Sequence, residues 1–418
     1  MNGTIEISGM KNAALPVLIA SILAEGKCVI RNVPDVCDVA VTLEILRGIG
    51  ALVNKPTSDT VEIDTTGVRG GISSYDLARK LRGSYYLLGA ELGRFGRAHV
   101  AYPGGCDFGV RPIDQHVKGF EALGAKVTVE GGYIDAETES GVIANNIYFD
   151  LVTVGGTINV MLAAVRAKGL TVIENAAREP HIVDVANFLN ACGAKISGAG
   201  TDTIKIRGVA HLHGCTYDII PDMIEAGTYM IAAAAAGGRV KVNNVIPKHL
   251  ESISAKLEEM GVEVIEEDDA VIVSRSTPLR RATVKTQPYP GFPTDLQPQI
   301  AALMCFAQGV SYVNENVTDN RFRYVEELRR MGAVIKVEAK QATIEGGKPL
   351  TAAAVRATDL RAGAAMVIAA LAVPGVSEID NIYCIERGYD DIVGKLSDVG
   401  AVIYKKYYPD PDQLMMAN

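Results

Sequence analysis

A lysine, five arginines, a cysteine and two aspartates stand at positions that their neighbours in the chain do not explain. Lys11 opens an apolar run, KNAALP, that reads as a helix start, where unpaired amides and the helix dipole already favour an anion. A solvated surface role is the commoner one for a lysine, but only Lys11 and Asn12 are polar before the apolar residues begin, so the pair is expected to point at something particular. Arg82, Arg111, Arg321, Arg361 and Arg387 lie beside Gly, Asp or aromatic turn residues and not on charge-alternating helix faces. Singly, each would be an ordinary surface ion pair. As a set they suit anions, because a planar guanidinium grips phosphate and carboxylate through two parallel hydrogen bonds.

Cys106 lies between Gly104-Gly105 and Gly109, with Arg111 five residues on. Glycine lets such a loop flex and approach a ligand closely, as a lid does. Nearby positive charge lowers a thiol's pKa, which makes Cys106 both a proton donor near neutral pH and a nucleophile toward electrophilic substrate analogues. An isolated cysteine is usually an inert core residue, and the other six fit that role within apolar strands or helices; Pro-Gly-Gly-Cys-Asp is a poor core sequence. Asp295, in Pro-Thr-Asp-Leu before an apolar run, is either the N-cap of a helix or a general base, and the two roles are compatible. Asp222, after Ile-Pro, carries the same ambiguity.

These residues hang on a repeat. An amphipathic run ending in Gly-Ala or Gly-Val, followed by an alternating apolar segment, recurs six times: at Gly50, Gly124, Gly193, Gly261, Gly332 and Gly400. Each copy reads as helix, left-handed Gly stop, strand. Upstream of each lies a second helix rich in small apolar residues and then a strand, as in TINVMLAAVRAKGLTVIENA. Residues 13–24 and 362–376 are such runs, too short for the roughly 20 apolar residues a bilayer crossing needs, so buried helices are expected. Six units suggest an α/β fold of two domains of three, with the small-residue helices inside and the sheets outside. A solenoid is the alternative, but repeats of about 70 residues exceed the usual length.

With 418 residues, 48% apolar and 22% charged, the chain has an ordinary globular balance. Its net charge of -8, with Lys and Arg dispersed among more numerous acids, removes the field a nucleic-acid or anionic-membrane binder relies on. Any anion is therefore held locally. No basic segment followed by an apolar run opens the chain, and seven widely spaced cysteines without a CxxC suit reduced thiols, so a cytosolic location is expected. His211 and His213 form only an HxH in a turn, without a third ligand cluster, so no metal site is expected there.

Two phrases, SGMKNAALP at residues 8–16 and PGGCDFGVRP at residues 103–112, resemble the enolpyruvyl transferase family, and within it the members that act on UDP-N-acetylglucosamine. KLRGSYYLLG, NAAREPHIVD, PDMIEAGTY, FPTDLQPQ, DNRF, TDLRAGAA and ERGYDD support the resemblance over nearly the whole chain. It implies two inside-out α/β domains, each of three repeated units with buried helices and outer sheets, residues 11–219 forming the first and residues 1–10 with 220–418 the second. The active site would lie in the interdomain cleft. The implied reaction moves the enolpyruvyl group of phosphoenolpyruvate to the 3'-hydroxyl of UDP-N-acetylglucosamine through a tetrahedral ketal, with release of phosphate. That is the first committed step of peptidoglycan synthesis, and it requires no metal or redox cofactor.

By the same resemblance, Lys11, Arg111 and Arg387 hold the phosphate and Arg321 and Arg361 the carboxylate. Cys106 is the general acid and the site of a covalent adduct, Asp295 the base at the sugar hydroxyl, Asp222 a second carboxylate near the reacting carbon, and Asn12 a partner of the intermediate. Arg111, Pro112, Ile113, Asp114 and Gln115 resemble the uridine segment, supported by His116; Thr153, Val154 and Gly155 would meet the diphosphate, Val317 the sugar, and Arg82 the substrate. Two departures bear on nucleotide affinity: Leu151 where some members carry Lys, and Gln115 where Leu is common. Family members usually have a strand ahead of the lysine motif, and this chain starts almost at the motif. That strand is therefore expected to be missing or supplied otherwise, which would loosen a sheet edge.

Three rival functions differ in what they would require. The shikimate-pathway enolpyruvyl transferase shares the chemistry without a nucleotide, and resembles neither the PGGC loop nor RPIDQ. A catalytically silent UDP-sugar-binding paralogue would not need Lys11, Cys106, Asp295 and Arg387 together. A cysteine hydrolase would need a histidine such as His116 beside Cys106 and would not depend on phosphoenolpyruvate.

Overall fold

The computed structural model describes residues 1–70, 81–102 and 113–407, the side chain of Arg82 excepted. In the first half, one unit is α1 (Lys11–Ala20), β2 (Lys27–Arg31), α2 (Cys37–Gly48), β3 (Leu52–Asn54) and β4 (Val61–Asp64), after an opening β1 (Asn2–Glu6). The next is α3 (Tyr86–Phe95), β5 (Arg97–Ala101), α4 (Asp114–Ala122), β6 (Lys126–Glu130), β7 (Tyr133–Glu137) and β8 (Asn146–Tyr148). The third is α5 (Val154–Ala164), β9 (Leu170–Glu174), α6 (Pro180–Ala191), β10 (Lys195–Ser197), β11 (Thr203–Arg207) and β12 (Thr216–Asp218).

The second half repeats the plan. Its units are α7 (Met223–Ala236) with β13 (Gly238–Asn243), α8 (Glu251–Glu259), β14 (Glu263–Glu266), β15 (Ala270–Arg275) and β16 (Thr283–Lys285), then α9 (Gln297–Met304) with β17 (Gly309–Asn314), α10 (Val325–Arg330), β18 (Val334–Glu338), β19 (Gln341–Gly346) and β20 (Ala354–Arg356). The last is α11 (Leu360–Leu371), β21 (Glu378–Asp380), α12 (Tyr383–Glu386) and α13 (Ile392–Asp398).

All six repeat glycines adopt positive φ, from 86° to 100°. Around Gly50 the Schellman pattern closes α2: Gly50 N–H donates to the Arg47 carbonyl and Ala51 N–H to that of Leu46, both at 3.0 Å. The first helix of a unit is apolar or small on every side, and so it is buried on every side. Every residue of α1 except Asn12 is buried, and every residue of α7 except Ala236. Small residues set how closely these helices approach: a Cβ on Gly89 of α3 would lie 2.3 Å from the Asn159 carbonyl oxygen of α5. The sheets lie outside, their strands alternating buried and exposed, as β11 does. The inside-out α/β architecture is thus the one expected.

In five of the six sheets among the described residues a unit's own strands pair antiparallel; in five a strand joins in parallel, the opening β1 in one and the last strand of another unit in the other four. β12 returns to β2, with Thr216 opposite Val29, so three units close on themselves and a solenoid is excluded. The strand ahead of the lysine motif is present, contrary to expectation: β1 runs parallel to β13 from Asn2 opposite Arg239 to Glu6 opposite Asn243. Its sequence, NGTIE, buries only Ile5, too little alternation to register as a strand. A second correction concerns the last repeat: Gly400 turns the chain as its counterparts do, but residues 401–407 form no strand. Among the described residues no helix is long and apolar enough to cross a membrane.

Candidate active site

Two chain segments pass each other between the halves and set the floor of a cleft. Residues 8–10 run antiparallel to 219–222: Met10 N–H donates to the Ile220 carbonyl at 2.7 Å and Asp222 N–H to that of Ser8 at 2.9 Å. α1 springs from this crossing, so Lys11 enters the cleft on the first turn of a buried helix. The cleft encloses about 640 Å³, the size of a small-molecule site.

Lys11 does not stand alone there. Its Nζ lies 3.0 Å from Asp38 Oδ2, and Arg387 Nε lies 2.9 Å from Asp38 Oδ1. Asp38, on the first turn of α2, is buried; burial alone would raise its pKa, but the Lys11 and Arg387 charges outweigh it and hold the carboxyl below its ordinary value. Asp38 carried no sequence expectation.

A second carboxylate between two cations faces the same cleft. Arg321 Nη2 donates to Asp295 Oδ1 at 2.8 Å, while Arg361 donates to Oδ2 from Nε at 3.2 Å and from Nη2 at 2.9 Å. Arg321 is fixed by two further bonds to the Thr294 carbonyl, at 3.2 and 3.0 Å. Arg361 lies in the first turn of α11, whose cap is Asp359, and its guanidinium carbon lies 5.5 Å from the centre of the Tyr389 ring. Arg361 Nη1 is buried without a hydrogen-bond partner, a donor left over. The cleft walls would raise the Asp295 pKa, but Arg361 and then Arg321 reverse this and hold it well below the usual carboxylate range, with Lys11 adding to the effect. Asp295 is no helix cap: α9 is preceded by Leu296, and both Asp295 oxygens accept from guanidinium groups.

Asp222 takes the capping alternative. Its Oδ1 accepts from Ile224 and Glu225 N–H at 2.8 and 3.2 Å, its Oδ2 from Lys11 N–H at 3.3 Å, and its side chain does not line the cleft. It caps α7 and ties it to α1.

Asn12, Asp114, Gln115, Thr153, Val154, Gly155 and Val317 also line the cleft, as does Leu151, which is 68% exposed. Gln115 is spoken for: its Nε2 donates to Asp114 Oδ2 at 2.9 Å and its Oε1 accepts from Asp150 N–H at 2.9 Å, which braces the start of α4. Thr153 caps α5, accepting from Gly156 N–H at 3.2 Å. His116 packs edge-on to Tyr85 and meets Asn159 Nδ2 at 2.9 Å, a supporting position. Ile113 precedes α4 and is not among the lining residues. Cys106, Arg111, Pro112 and the Arg82 side chain lie outside the described residues.

Sequence reasoning assigned no role to two more lining residues. Glu179, ahead of α6, reaches across the cleft to accept from Tyr289 N–H at 3.4 Å; its other oxygen is buried without a partner, and burial raises its pKa. His181 is buried with Nδ1 unpartnered, and burial lowers its pKa to about 4 despite the Asp295 charge, so it is neutral at physiological pH. Both lie in the phrase NAAREPHIVD, where an acid and a histidine flanking a helix-opening Pro180 were the available signal.

Buried helices ringed by sheets, with paired cations facing one cleft, define an anion-handling transferase fold, and the comparisons give it a family. The family model for EPSP synthase (3-phosphoshikimate 1-carboxyvinyltransferase) matches residues 1–396, and the chain belongs to that family. Within it, the chain is 55% identical over 405 residues to UDP-N-acetylglucosamine 1-carboxyvinyltransferase 3 of Caldanaerobacter subterraneus subsp. tengcongensis, covering 97% of each chain. It is also 55% identical over 404 residues to UDP-N-acetylglucosamine 1-carboxyvinyltransferase of Clostridium botulinum, covering 96% of this chain and 97% of the relative. Among solved structures, the enolpyruvyl transferase NikO from Streptomyces tendae superposes with a TM-score of 0.87 at 27% identity, covering 98% of this chain and 97% of that one.

Proposed function

We infer that the chain is an enolpyruvyl transferase that joins phosphoenolpyruvate to the 3'-hydroxyl of UDP-N-acetylglucosamine and releases phosphate, the entry step of peptidoglycan synthesis and so of cell-wall growth and division. The observation that carries the reading is the pair of cation-flanked carboxylates, Lys11–Asp38–Arg387 and Arg321–Asp295–Arg361, facing one cleft. A ligand carrying both a phosphate and a carboxylate matches two such clusters. The full-length identity with relatives named for the UDP-sugar reaction favours that acceptor over shikimate 3-phosphate.

In this reading Lys11 and Arg387, with Arg111, hold the phosphate, and the carboxylate takes guanidinium bonds from Arg321 and Arg361, including the unused Arg361 Nη1. The competition matters for the base. At rest Asp295 is clamped by two arginines and is a weak proton acceptor. A substrate carboxylate that draws those guanidinium bonds to itself returns basicity to Asp295, which then takes the proton of the sugar hydroxyl. The oxygen attacks C2 while Cys106 delivers a proton to the methylene carbon, giving the ketal. Loss of a methyl proton and departure of phosphate complete the enolpyruvyl ether. Asn12, Asp114, Gln115, Thr153, Val154, Gly155 and Val317 would receive the nucleotide sugar, with Ile113, Pro112 and Arg82 beside them. We assign residues 11–219 to one domain and residues 1–10 with 220–418 to the other, on the strength of the β12–β2 and β1–β13 pairings. The reaction is placed in the cytoplasm.

The test is phosphate release from phosphoenolpyruvate with UDP-N-acetylglucosamine, beside shikimate 3-phosphate and no acceptor. Release with the UDP-sugar alone, with an enolpyruvyl ether as product, is expected. Release with shikimate 3-phosphate would transfer the assignment to the rival enzyme, and a folded protein silent with both would be a binding paralogue. Cys106→Ser should abolish covalent labelling by the epoxide phosphonate fosfomycin, read by intact mass; unchanged labelling would remove Cys106 from the site.

A further inference from the structure

Away from the cleft, three thiols that the proposed reaction does not use come together from distant parts of the chain. Cys28 lies in β2, Cys192 follows α6 and Cys215 precedes β12, and none of them lines the cleft. Backbone bonds hold their carriers in place: Val29 N–H donates to the Cys215 carbonyl at 2.8 Å and His213 N–H to that of Cys192 at 2.9 Å. The sulfurs of Cys192 and Cys215 are 3.4 Å apart, and the Cys28 thiol lies near enough to interact with them electrostatically. Cys28 and Cys192 are 0% and 1% exposed, whereas Cys215 is only partly covered, so it is the thiol a reagent meets first.

We propose that Cys192 and Cys215 form a dithiol modification site that takes low-molecular-weight disulfides, of which oxidised glutathione is the representative. Cys215, its proton lost to solvent, attacks one sulfur of the disulfide; that S–S bond breaks and one glutathione leaves as thiolate. Cys192, deprotonated in turn, attacks Cys215 Sγ, the mixed disulfide breaks, and the second glutathione leaves. The two protein thiols are oxidised by two electrons to a disulfide, and the reagent is reduced to two thiols. The sulfurs need approach each other by only roughly 1.4 Å to reach bonding distance. The link joins residues 23 apart and fastens the end of α6 to the strand that leads into the crossing between the halves. Cys28, their neighbour, is a bystander whose removal leaves the link intact.

The experiment treats the full chain with oxidised glutathione, alkylates the remaining thiols under denaturing conditions, and identifies the digested peptides by mass. The expected result is that the Cys192 and Cys215 peptides escape alkylation and are recovered as one species two hydrogens lighter, released by dithiothreitol, whatever adduct Cys106 takes. Cys28→Ser should still form this species, and Cys215→Ser should leave Cys192 fully alkylated, while the isolated, buried Cys305 stays alkylated throughout. Recovery of Cys192 and Cys215 as free thiols, a glutathione adduct persisting on Cys215 without the link, or a Cys28–Cys192 link in the unsubstituted chain would each overturn the proposal.

Discussion

Asp38 and Asp295 are each held between two cations, and the differences between them separate a residue that positions from one that reacts. Asp38 keeps 6% of its side-chain surface and Asp295 30%. Asp38 joins a lysine and an arginine from helix ends on different parts of the chain, so its contacts fix where two anion-holding groups point. Asp295 sits in a short turn on the cleft, with one arginine bonded to each of its oxygens. Burial works against the charge on both carboxylates and the cations overcome it in both. What differs is access. Both line the cleft, but a substrate can touch the more open Asp295 and compete for its partners, whereas the nearly covered Asp38 offers a ligand chiefly the cations it holds.

The comparison breaks first, if it breaks, at Asp295→Asn. The amide keeps the shape and loses the proton acceptor, so turnover should fall by about 10²- to 10⁴-fold, with UDP-N-acetylglucosamine affinity held in calorimetry. A fall in binding with unchanged turnover per bound complex would make Asp295 a ligand contact only. Asp38→Asn leaves Lys11 and Arg387 without the charge that holds them together. We expect kcat/KM for phosphoenolpyruvate to drop by about 10²-fold, the cost of misplaced binding groups, with nucleotide-sugar affinity unchanged. A wild-type value would end the positioning role.

Arg361→Lys sharpens the contrast. It keeps the charge and removes the fork, costing roughly tenfold in kcat/KM for phosphoenolpyruvate, or about 1.4 kcal/mol. It also loosens the clamp, so the Asp295 pKa climbs toward the ordinary carboxylate range and the acid limb of the kcat/KM profile moves to higher pH. An unmoved limb with reduced kcat/KM would mean that Arg361 serves the ligand alone. The stability carried by the clamp follows the same sign: a depressed carboxylate pKa contributes above the unfolded value and is lost as pH falls toward the folded one.

Residue type made half of each cluster legible and left the other half hidden. Lys11 and the arginines show because cations in glycine and turn contexts have no helix-face explanation, and Asp295 shows because a carboxylate follows Pro-Thr. Asp38 is invisible for a physical reason: an acid in the first turn of α2 is what the helix dipole favours, so nothing local separates it from an ordinary surface acid. Asp222 and Asp295 share one pair of readings in the sequence because capping and proton transfer ask for the same residue ahead of an apolar helix. The glycine repeat disclosed the fold, while a second repeat beside it went unread. Asn32, Asn175, Asn244 and Asn381 each adopt positive φ after a unit's first strand and donate their side-chain amides to the carbonyls of Ile219, Phe149, Ile7 and Ala357, one residue past the parallel partner strand. The motif is local in sequence only on one side, and its partner carbonyls come from another unit.

The smallest effect concerns a carboxylate denied what the other two possess. Asp184, buried in α6, accepts from the Tyr217 hydroxyl at 2.6 Å and weakly from Ile220 N–H at 3.4 Å, with no cation paired to it among the described residues. Burial dominates there and pushes its pKa up to about 6. The sign is opposite to that of Asp295. Between the unfolded carboxylate value and pH 6 the folded chain retains a proton that the unfolded chain has released, so this group's contribution to stability declines as pH rises through that window. Asp184→Asn holds the amide neutral at every pH and removes the decline. The melting temperature of the variant relative to the parent should therefore rise by roughly 2 °C between pH 4 and pH 7, on the order of 2 kcal/mol for a chain of this length. A difference that stays flat across the window would mean that Asp184 ionises normally, and that hydrogen bonds alone, without a neighbouring cation, suffice to keep a buried carboxylate charged in this fold.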